Sequence, residues 1–337
     1  MPLSLLAAPD DDQRRLDRIL RKALPDLPLS ALHRLLRQGK ITVDGKKARL
    51  YDRIKSGQLI EIQDLYGNSA QNNPAEDSKG KQNAAFEAKR NITDWIIYEG
   101  CGLLILNKPA GMVVHGEDSL EELVRSYLGP KLSPSLSFKP GPLHRLDKNS
   151  SGLIVFSASL EGARFFSLML KEHRLHKKYL AITDGKIEKD EIWEDNLARD
   201  RTIKKTMPAG TESDQEQTDP PAQKFIGKAF TRIVPVYSGK ANTLITAEIE
   251  TGKTHQIRAQ AAIHGHPLTG DRKYGGLPFP AKNTGAFCLH AWKIEFPLDG
   301  LPSGMPARFE APLPQEFRQK IKELFPGIYT NPDLNSL

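Results

Sequence analysis

The sequence predicts an α+β protein in two parts: a small module of two helices and short strands, then a larger domain with a mixed, mainly antiparallel sheet and flanking helices. The strand-like segments of the larger part follow one another without the regular alternation with helices that a parallel sheet needs. A polar stretch over residues 66–91, with scarcely any large apolar side chain, separates the two parts. We therefore expect domains at residues 13–65 and 92–330, joined by a flexible linker.

Two helices are expected at the start of the first domain, because apolar residues recur there at helical spacing. The residues that carry the pattern are Leu16, Ile19, Leu20 and Leu24 in the first helix and Leu32, Leu35 and Leu36 in the second. The second helix is predicted to begin with Ser30 as its N-cap and to end at Gly39. After it, Asp44-Gly45 signals a tight hairpin, and Ile60 and Ile62 mark a further short strand.

Positive charge is concentrated in the first domain. Residues 14–53 carry twelve Lys or Arg against four Asp, although the net charge of the whole chain is only +7. The polar side of the second helix and the hairpin would present Arg34, Arg37, Lys40, Lys46 and Lys47. Such a patch can neutralise the phosphates of a nucleic acid, but many basic faces are only solvated. Charge alone leaves both interpretations open.

The larger domain is expected to contain seven strands and four helices. The strands are expected near residues 103–107, 152–157, 179–183, 231–237, 244–250, 286–290 and 292–296, and the helices near residues 119–128, 159–173, 254–264 and 315–325. In the second of these helices, Phe165, Phe166, Leu168 and Met169 are predicted to face the core rather than to stack on a base. The insertion over residues 208–223 is too polar for a core and is expected to form a surface loop.

The composition argues against several classes of protein. The chain has no run of eighteen apolar residues, and no basic segment precedes the short apolar stretch at residues 3–8, so neither a membrane span nor a signal peptide is expected. Two cysteines without CxxC spacing indicate a reducing cytoplasm rather than a disulfide framework. Dinucleotide, Walker-type and zinc signatures are missing, so no cofactor or metal is expected. Nothing demands more than a monomer.

The segment LHRLDKNSSGLIVF at residues 143–156 is where we place the chemistry. Asp147 lies between Arg145 and Lys148, and the segment runs directly into an apolar strand. A loop at the end of a buried strand holds a reactive side chain still while leaving it reachable. An isolated aspartate there would most simply cap a turn, with Gly152 supplying the bend. Two further unusual segments, residues 107–115 and 251–258, favour the reactive interpretation.

Together these segments resemble the large-subunit ribosomal RNA pseudouridine synthases. The motifs that carry the resemblance follow in the family's order and cover most of the chain: NKPAGMVVH, HRLDKNSSGL, Lys177-Lys178-Tyr179, TGKTHQIR and GDRKYGG. Ser150 stands where the family usually has Thr, Lys253 where it has Arg, and Ala259-Gln260 where a Val-His pair is common. The two helices and the basic hairpin resemble the S4-type RNA-binding module that commonly precedes the catalytic domain of this family. For the catalytic domain, the resemblance implies the same α+β architecture with a mixed, mainly antiparallel sheet.

The resemblance implies conversion of uridine to pseudouridine without a cofactor. Asp147 would either attack the anomeric carbon or take a proton from the neighbouring sugar carbon. A partly buried carboxylate needs a cationic partner, for which Arg258 is the candidate. Tyr179 would stack on the uracil or act in removing the proton from carbon 5. Arg145 would fill the gap left by the flipped uridine, unless it only contacts a phosphate. Further residues expected to bind the substrate are His144, Ile257 and Lys108, and on the S4-type module Arg34, Arg37, Lys40, Lys46 and Lys47.

Alternatives to this function remain open in the sequence. The expected partner is RNA, large-subunit ribosomal RNA first, but transfer RNA is a second possible substrate. A non-catalytic RNA-binding or ribosome-assembly factor would fit the S4-type module, but would give Asp147, Tyr179 and Arg258 no joint purpose. An RNA hydrolase with Asp147 as general base would lack a phosphate-cradling loop or a metal-binding carboxylate cluster.

Overall fold

A computed structural model describes residues 2–64, 91–132, 135–200, 202–209, 223–279 and 287–328. Within these ranges the chain forms a four-stranded sheet in its N-terminal part and an eleven-stranded sheet in its larger part, so the predicted α+β class is confirmed. The expected linker lies outside the described residues except for Asn91. So does most of the expected loop over residues 208–223. No helix among the described residues is long and apolar enough to cross a membrane.

The N-terminal part packs two helices against short strands. Its elements are β1 (Leu3–Leu6), β2 (Arg14–Arg15), α1 (Leu16–Ala23), α2 (Leu29–Arg37), β3 (Ile41–Val43), β4 (Lys46–Lys47), β5 (Arg53–Ile54) and β6 (Leu59–Ile62). The sheet order is β1-β6-β3-β4, and β2 pairs with β5. Apart from Leu24, which is half-buried, the apolar positions predicted for the two helices are buried in one core, as are Ile60 and Ile62.

The start of α2 differs from the prediction. Pro28, not Ser30, occupies the N-cap position, because the Pro28 carbonyl already accepts hydrogen bonds from the backbone of Ala31 and Leu32. The predicted end is confirmed: Gly39 has a φ of +70°, and the Lys40 backbone N–H donates back to Leu35 at 2.9 Å. This pattern closes a helix through a left-handed glycine.

The predicted hairpin is also confirmed. Val43 pairs with Lys46 across a two-residue turn, and both turn residues, Asp44 and Gly45, have positive φ. This is the turn geometry that matches the twist of antiparallel strands, and an Asp-Gly pair adopts it at little cost. The hairpin therefore places Lys46 and Lys47 on an exposed ribbon beside α2.

A buried carboxylate joins the N-terminal part to the larger part. Asp11 accepts hydrogen bonds from the backbone of Ala8 at 2.9 Å and Leu136 at 3.1 Å, and from the Ser137 hydroxyl. Arg14 donates to the same hydroxyl at 2.9 Å, and the Leu136 side chain packs against the N-terminal core. The contacts of Asp11 and Arg14 with Leu136 and Ser137 join residues more than a hundred positions apart in sequence, so they connect the N-terminal part to the segment around residue 136.

The larger part is built on one twisted sheet. Its strands are β7 (Ile96–Gly100), β8 (Leu103–Lys108), β9 (Gly141–Pro142), β10 (Ser151–Ser157), β11 (His176–Asp184), β12 (Glu191–Asp200), β13 (Lys205–Pro208), β14 (Gln223–Ser238), β15 (Asn242–Ile249), β16 (Leu289–Glu295) and β17 (Arg308–Glu310). The main order is β13-β12-β14-β15-β11-β16-β10-β8-β7. Among the described strands only the β10–β16 pair is parallel, so the prediction of a mixed, mainly antiparallel sheet is confirmed.

Four helices flank this sheet among the described residues: α3 (Leu120–Leu128), α4 (Leu160–Lys171), α5 (Gln256–Ile263) and α6 (Gln315–Leu324). Ser119 and Ser159 cap the first two through their side chains. Phe166 and Met169 lie in the core as predicted, and Phe165 packs partly against it. The prediction for Leu168 is wrong: its side chain is 47% exposed, because it lies on the solvent side of α4, two residues from Phe166.

Two expectations for the strands need correction. A single strand, β16, replaces the two expected near residues 286–290 and 292–296, since Ala291 continues the ladder with β11 opposite Tyr179. Residue 286 itself lies outside the described residues. Five strands of this sheet, β7, β9, β12, β13 and β17, were not predicted. β12 carries five charged residues that do not alternate regularly with apolar ones. It runs beside β14, and its apolar residues Trp193 and Leu197 are buried in the core.

Candidate active site

Asp147 lies on the loop that leads into β10, the most deeply buried strand of the sheet. The Ser150 backbone N–H donates to the Asp147 carbonyl at 3.1 Å and tightens this loop. Gly152 follows, and a Cβ added there would lie 2.3 Å from the Ala291 carbonyl of β16. A side chain at this position would push the parallel strand away, so glycine is required for close strand packing as well as for its positive φ.

Lys108 supports the loop that carries Asp147 through a hydrogen bond to its backbone. Its ammonium is fully buried at the end of β8 and donates to the carbonyls of Pro109 at 2.9 Å, Met112 at 2.9 Å and Lys148 at 3.0 Å. Burial lowers the pKa of Lys108 to about 7, and the nearby charge of Asp147 opposes that shift. The three carbonyls match the three N–H bonds of an ammonium, so the cradle fits the charged form. Lys108 is therefore enclosed by backbone beneath the site.

Arg258 on α5 brings two carboxylates together. Its Nη1 donates to Asp147 Oδ2 at 2.9 Å, while Nε and Nη2 bind both oxygens of Asp271 at 2.6 and 2.9 Å. Burial alone would lower the pKa of Arg258, but the hydrogen bonds and charge of Asp271 and the charge of Asp147 outweigh it and raise the pKa. The contact predicted between Asp147 and Arg258 is thus present, and the guanidinium stays charged.

Asp271 is one of the residues that sequence reasoning missed. It is almost fully buried and takes two of the three hydrogen bonds that Arg258 makes. The rings of Phe287 and Tyr274 lie 4.2 and 5.0 Å from the guanidinium carbon. The bidentate carboxylate of Asp271 and the two aromatic rings hold the guanidinium in place, so the Nη1–H bond of Arg258 points at Asp147. The available signal was the GDRKYGG segment, which carries both Asp271 and Tyr274.

Two adjoining cavities meet at Asp147. One, of about 60 Å³, is lined by residues that include Tyr179, Ile257 and Lys253. The other, of about 390 Å³, opens toward His115 and Lys273. Asp147, 14% exposed at its side chain, lies in the wall of both. The carboxylate is therefore sheltered but reachable, and four of the other predicted residues line the smaller cavity with it: Arg145, Tyr179, Ile257 and Arg258.

Tyr179 enters the smaller cavity from β11, and burial together with the charge of Asp147 raises the pKa of its hydroxyl. Arg145 is exposed at the rim of both cavities. His144 points elsewhere: its Nε2 accepts the Val155 backbone N–H at 3.0 Å, its ring stacks on Phe166, and burial lowers its pKa to about 3. His144 and Lys108 line neither cavity, so the structure does not bring these two residues to the pocket.

The chain is similar in sequence to known pseudouridine synthases. The profile of the RNA pseudouridylate synthase family matches residues 102–262, and that of the S4 domain matches residues 14–60. Ribosomal large subunit pseudouridine synthase D of Neisseria meningitidis is 31% identical over 92% of this chain and 78% of its own length. The chain belongs to the RNA pseudouridylate synthase family. Ribosomal large subunit pseudouridine synthase C of Escherichia coli is 27% identical over 94% of each chain.

A solved structure shows the same fold at lower sequence similarity. Human RNA pseudouridylate synthase domain containing 4 is 19% identical, with a TM-score of 0.55 over 73% of this chain and 97% of that one. The family membership makes the chain an RNA pseudouridine synthase, and the fold around Asp147 is that of its catalytic domain.

The S4 domain of this synthase carries a further cavity, of about 560 Å³, beside α2. Its lining includes Arg37, Lys47 and Arg49, and the ammonium of Lys47 donates to the Arg37 carbonyl at 3.4 Å. Arg34 and Lys46 are exposed nearby without lining it. Lys40 forms an ion pair with Asp64. Of the basic residues predicted from the sequence, Arg37 and Lys47 therefore line one cavity together with Arg49.

Proposed function

We propose that this pseudouridine synthase isomerises uridines of large-subunit ribosomal RNA, with Asp147 as the reacting carboxylate. The observation that carries the proposal is the Asp147 side chain, held by Arg258 where two cavities meet and facing the pocket that contains Tyr179. Large-subunit ribosomal RNA is favoured as substrate because the similar synthases C and D carry that RNA in their names. We further propose two domains at residues 13–65 and 92–330, acting as a cytoplasmic monomer.

The reaction needs a carboxylate, a pocket and a proton path. The bond between N1 of uracil and the anomeric carbon breaks, the base turns, and carbon 5 joins that carbon; one proton leaves carbon 5 and N1 gains one. Asp147 supports either route, attacking the anomeric carbon or removing a proton from the adjacent sugar carbon. Arg258 stabilises its negative charge, and the buried Asp271 keeps Arg258 from turning toward a phosphate.

Tyr179 is proposed to act on the base. Its pKa is raised, so its hydroxyl keeps its proton at neutral pH and does not serve as a ready phenolate. Stacking on uracil needs only the ring, whereas a part in the late proton step needs the hydroxyl. Tyr179→Phe separates these two roles.

We expect Tyr179→Phe to lower kcat by about 100-fold or more, as loss of a proton-transfer group does. RNA affinity should stay unchanged, because the ring remains. Release of tritium from RNA labelled at uracil carbon 5 measures the step directly, and accumulation of a stalled protein–RNA complex would support a late block. Tyr179→Leu, which removes the ring as well, is the control; wild-type turnover in Tyr179→Phe would exclude the hydroxyl and leave stacking alone.

Arg145 is proposed to occupy the gap in the RNA stack, because it is exposed at the rim of the pocket two residues from Asp147. Flipping a paired uridine costs a few kcal/mol, which a gap-filling side chain offsets. We expect Arg145→Ala to reduce kcat/KM by about 10 to 100-fold on a paired target and by less than about threefold on the same target presented unpaired.

Arg145→Lys is the matched control for charge. A lysine preserves a phosphate contact but cannot fill the gap with a flat guanidinium. Equal losses on paired and unpaired targets, rescued by lysine, would identify Arg145 as a phosphate contact and contradict the gap-filling role.

The choice of substrate is tested by incubating the enzyme with unmodified large-subunit ribosomal RNA and, separately, with a transfer RNA pool. Each RNA is then digested and its pseudouridine content measured against enzyme-free controls. We expect pseudouridine in the ribosomal RNA. Product confined to the transfer RNA would replace the proposed substrate, and binding of either RNA without product would favour a non-catalytic RNA-binding factor.

A further inference from the structure

A histidine lies directly beside the proposed catalytic carboxylate. His255 immediately precedes α5 and has a left-handed backbone, with a φ of +55°. Its Nε2 lies 3.8 Å from Asp147 Oδ1, and its side chain is only 14% exposed. Arg258 holds the other oxygen of the same carboxylate, Oδ2. His255 is thus the second side chain of α5 and its N-terminal turn that faces Asp147.

The neighbours of His255 determine which ring nitrogen carries its proton. Nδ1 lies 2.9 Å from the Tyr274 hydroxyl and 3.4 Å from Arg199 Nη1. A guanidinium can only donate. The Tyr274 oxygen accepts the Thr206 backbone N–H at 2.9 Å, and its hydroxyl hydrogen can be donated to Nδ1. Arg199 can only donate and Tyr274 is able to donate, so the contacts favour Nδ1 as the acceptor, with the proton on Nε2, facing Asp147.

The ring is neutral in this setting. Burial lowers the pKa of His255 to about 4; the charge of Asp147 opposes the shift, and Arg258, Arg199 and Lys273 add to it. A protonated ring would also point an Nδ1–H at Arg199, donor against donor. The neutral Nε2–H tautomer is therefore the form that satisfies every contact.

We infer that His255 is a positioning residue for Asp147: when the pair closes from its separation of 3.8 Å, the Nε2–H donates to Oδ1 while Arg258 donates to Oδ2, and the plane of the carboxylate is held from both sides. This inference rests on the proposed role of Asp147. A hydrogen bond between nitrogen and oxygen spans about 2.7 to 3.2 Å, so a movement of about 1 Å closes the pair. A carboxylate bound through one oxygen can rotate about its terminal bond, whereas one bound through both cannot.

The same chain of contacts connects the pocket to the hairpin of β12 and β13. Arg199 lies on β12 and Thr206 on β13, and Arg199 Nη1 donates to the Thr206 hydroxyl at 3.3 Å. That hydroxyl donates to the Thr254 carbonyl, immediately before His255, at 2.8 Å. These two strands therefore set the tautomer and the position of His255.

A pair of substitutions isolates the Nε2–H donor. His255→Asn keeps a polar group near the Nδ1 position and tolerates a left-handed backbone, but it cannot reach Asp147. His255→Gln carries an N–H out to the position of Nε2. We expect His255→Asn to lower the single-turnover rate of pseudouridine formation by about 10 to 100-fold, as a misplacement of about 1 Å does. RNA affinity and melting temperature should stay at wild-type values, and His255→Gln should recover most of the rate.

His264→Asn is the matched control. His264 lies at the other end of α5, and its Nε2 also contacts an aspartate, Asp195, at 3.2 Å, away from the pocket. Its replacement should leave the rate unchanged. A full rate in His255→Asn would overturn the inference, and so would an equal loss in His255→Asn and His255→Gln.

Nitrogen NMR of the protein labelled with ¹⁵N-histidine gives a readout that does not depend on activity. His255 is assigned by the signal that disappears in His255→Asn. We expect a protonated Nε2 and an unprotonated Nδ1 at neutral pH, and loss of this preference in Tyr274→Phe. A proton on Nδ1 would overturn the inference even in a fully active enzyme. An inactive wild-type protein that shows the expected tautomer would instead contradict the proposed function and leave the contact geometry standing.

Discussion

Asp147→Asn should lower the rate of pseudouridine formation by at least about 1,000-fold, the scale on which loss of a reacting group acts. The amide has the size of the carboxylate but is a poor nucleophile and a poor base, so both routes proposed for Asp147 fail. RNA affinity should stay near that of the wild type, because the basic surface of the S4 domain lies outside this pocket. Tritium release from labelled RNA under single-turnover conditions measures the loss.

Asp190→Asn is the matched control for this substitution. Asp190 also pairs with an arginine, Arg232, at 2.9 Å, but on the surface. Exposed pairs contribute about 0 to 1 kcal/mol, so the control should keep its full rate and its stability. Retention of activity in Asp147→Asn would contradict the proposed mechanism, whichever route is considered.

Arg258→Ala should abolish turnover and also destabilise the protein. Its removal leaves Asp147 without a cationic partner and leaves Asp271 as a buried, unpaired carboxylate. Breaking a buried ion pair in this way costs about 3 to 5 kcal/mol, which is a large part of the stability of an ordinary domain. Urea unfolding gives the free energy of unfolding, and activity is measured at a temperature where the variant remains folded.

Arg258→Lys separates charge from geometry. A lysine keeps a positive charge in the pocket but cannot bind Asp271 with two parallel N–H bonds and Asp147 with a third. We expect a folded protein with at least about a 100-fold lower rate and nearly intact RNA binding. Arg318→Lys, on the exposed face of α6, is the control and should change neither property. Ordinary activity in either Arg258 variant would contradict the proposed role of the Asp147–Arg258 ion pair in the reaction.

The fold could be predicted where local patterns agree with tertiary packing. The two N-terminal helices, the Asp44-Gly45 hairpin and the strand that follows Asp147 each have an apolar period or a turn signal of their own. The pattern fails for β12, which is rich in charged residues and pairs with β14, and for β13, a short strand that pairs with β12. The N-cap signal at Ser30 also fails, because the helix already begins after Pro28, which occupies the N-cap position.

In the site, Asp147, Arg258, Tyr179 and Ile257 could be found from the sequence because each belongs to a recognisable motif. Asp271 and His255 also lie in such motifs, but they could not be given roles, since only the folded chain shows that Asp271 binds Arg258 and that His255 faces Asp147. Gln260, one of the departures from the family pattern, is fully buried and binds the Thr231 hydroxyl, the Trp193 carbonyl and Asp195. It therefore acts in packing α5 on the sheet rather than in the pocket.

The most direct test of the account maps pseudouridine in large-subunit ribosomal RNA, by carbodiimide labelling and reverse-transcription stops, after incubation with the wild type, Asp147→Asn and Asp190→Asn. The account predicts the same discrete stops with the wild type and Asp190→Asn, and none with Asp147→Asn. Stops that persist with Asp147→Asn would contradict the role of this carboxylate. Their absence with the wild type, although it binds the RNA, would contradict the proposed substrate.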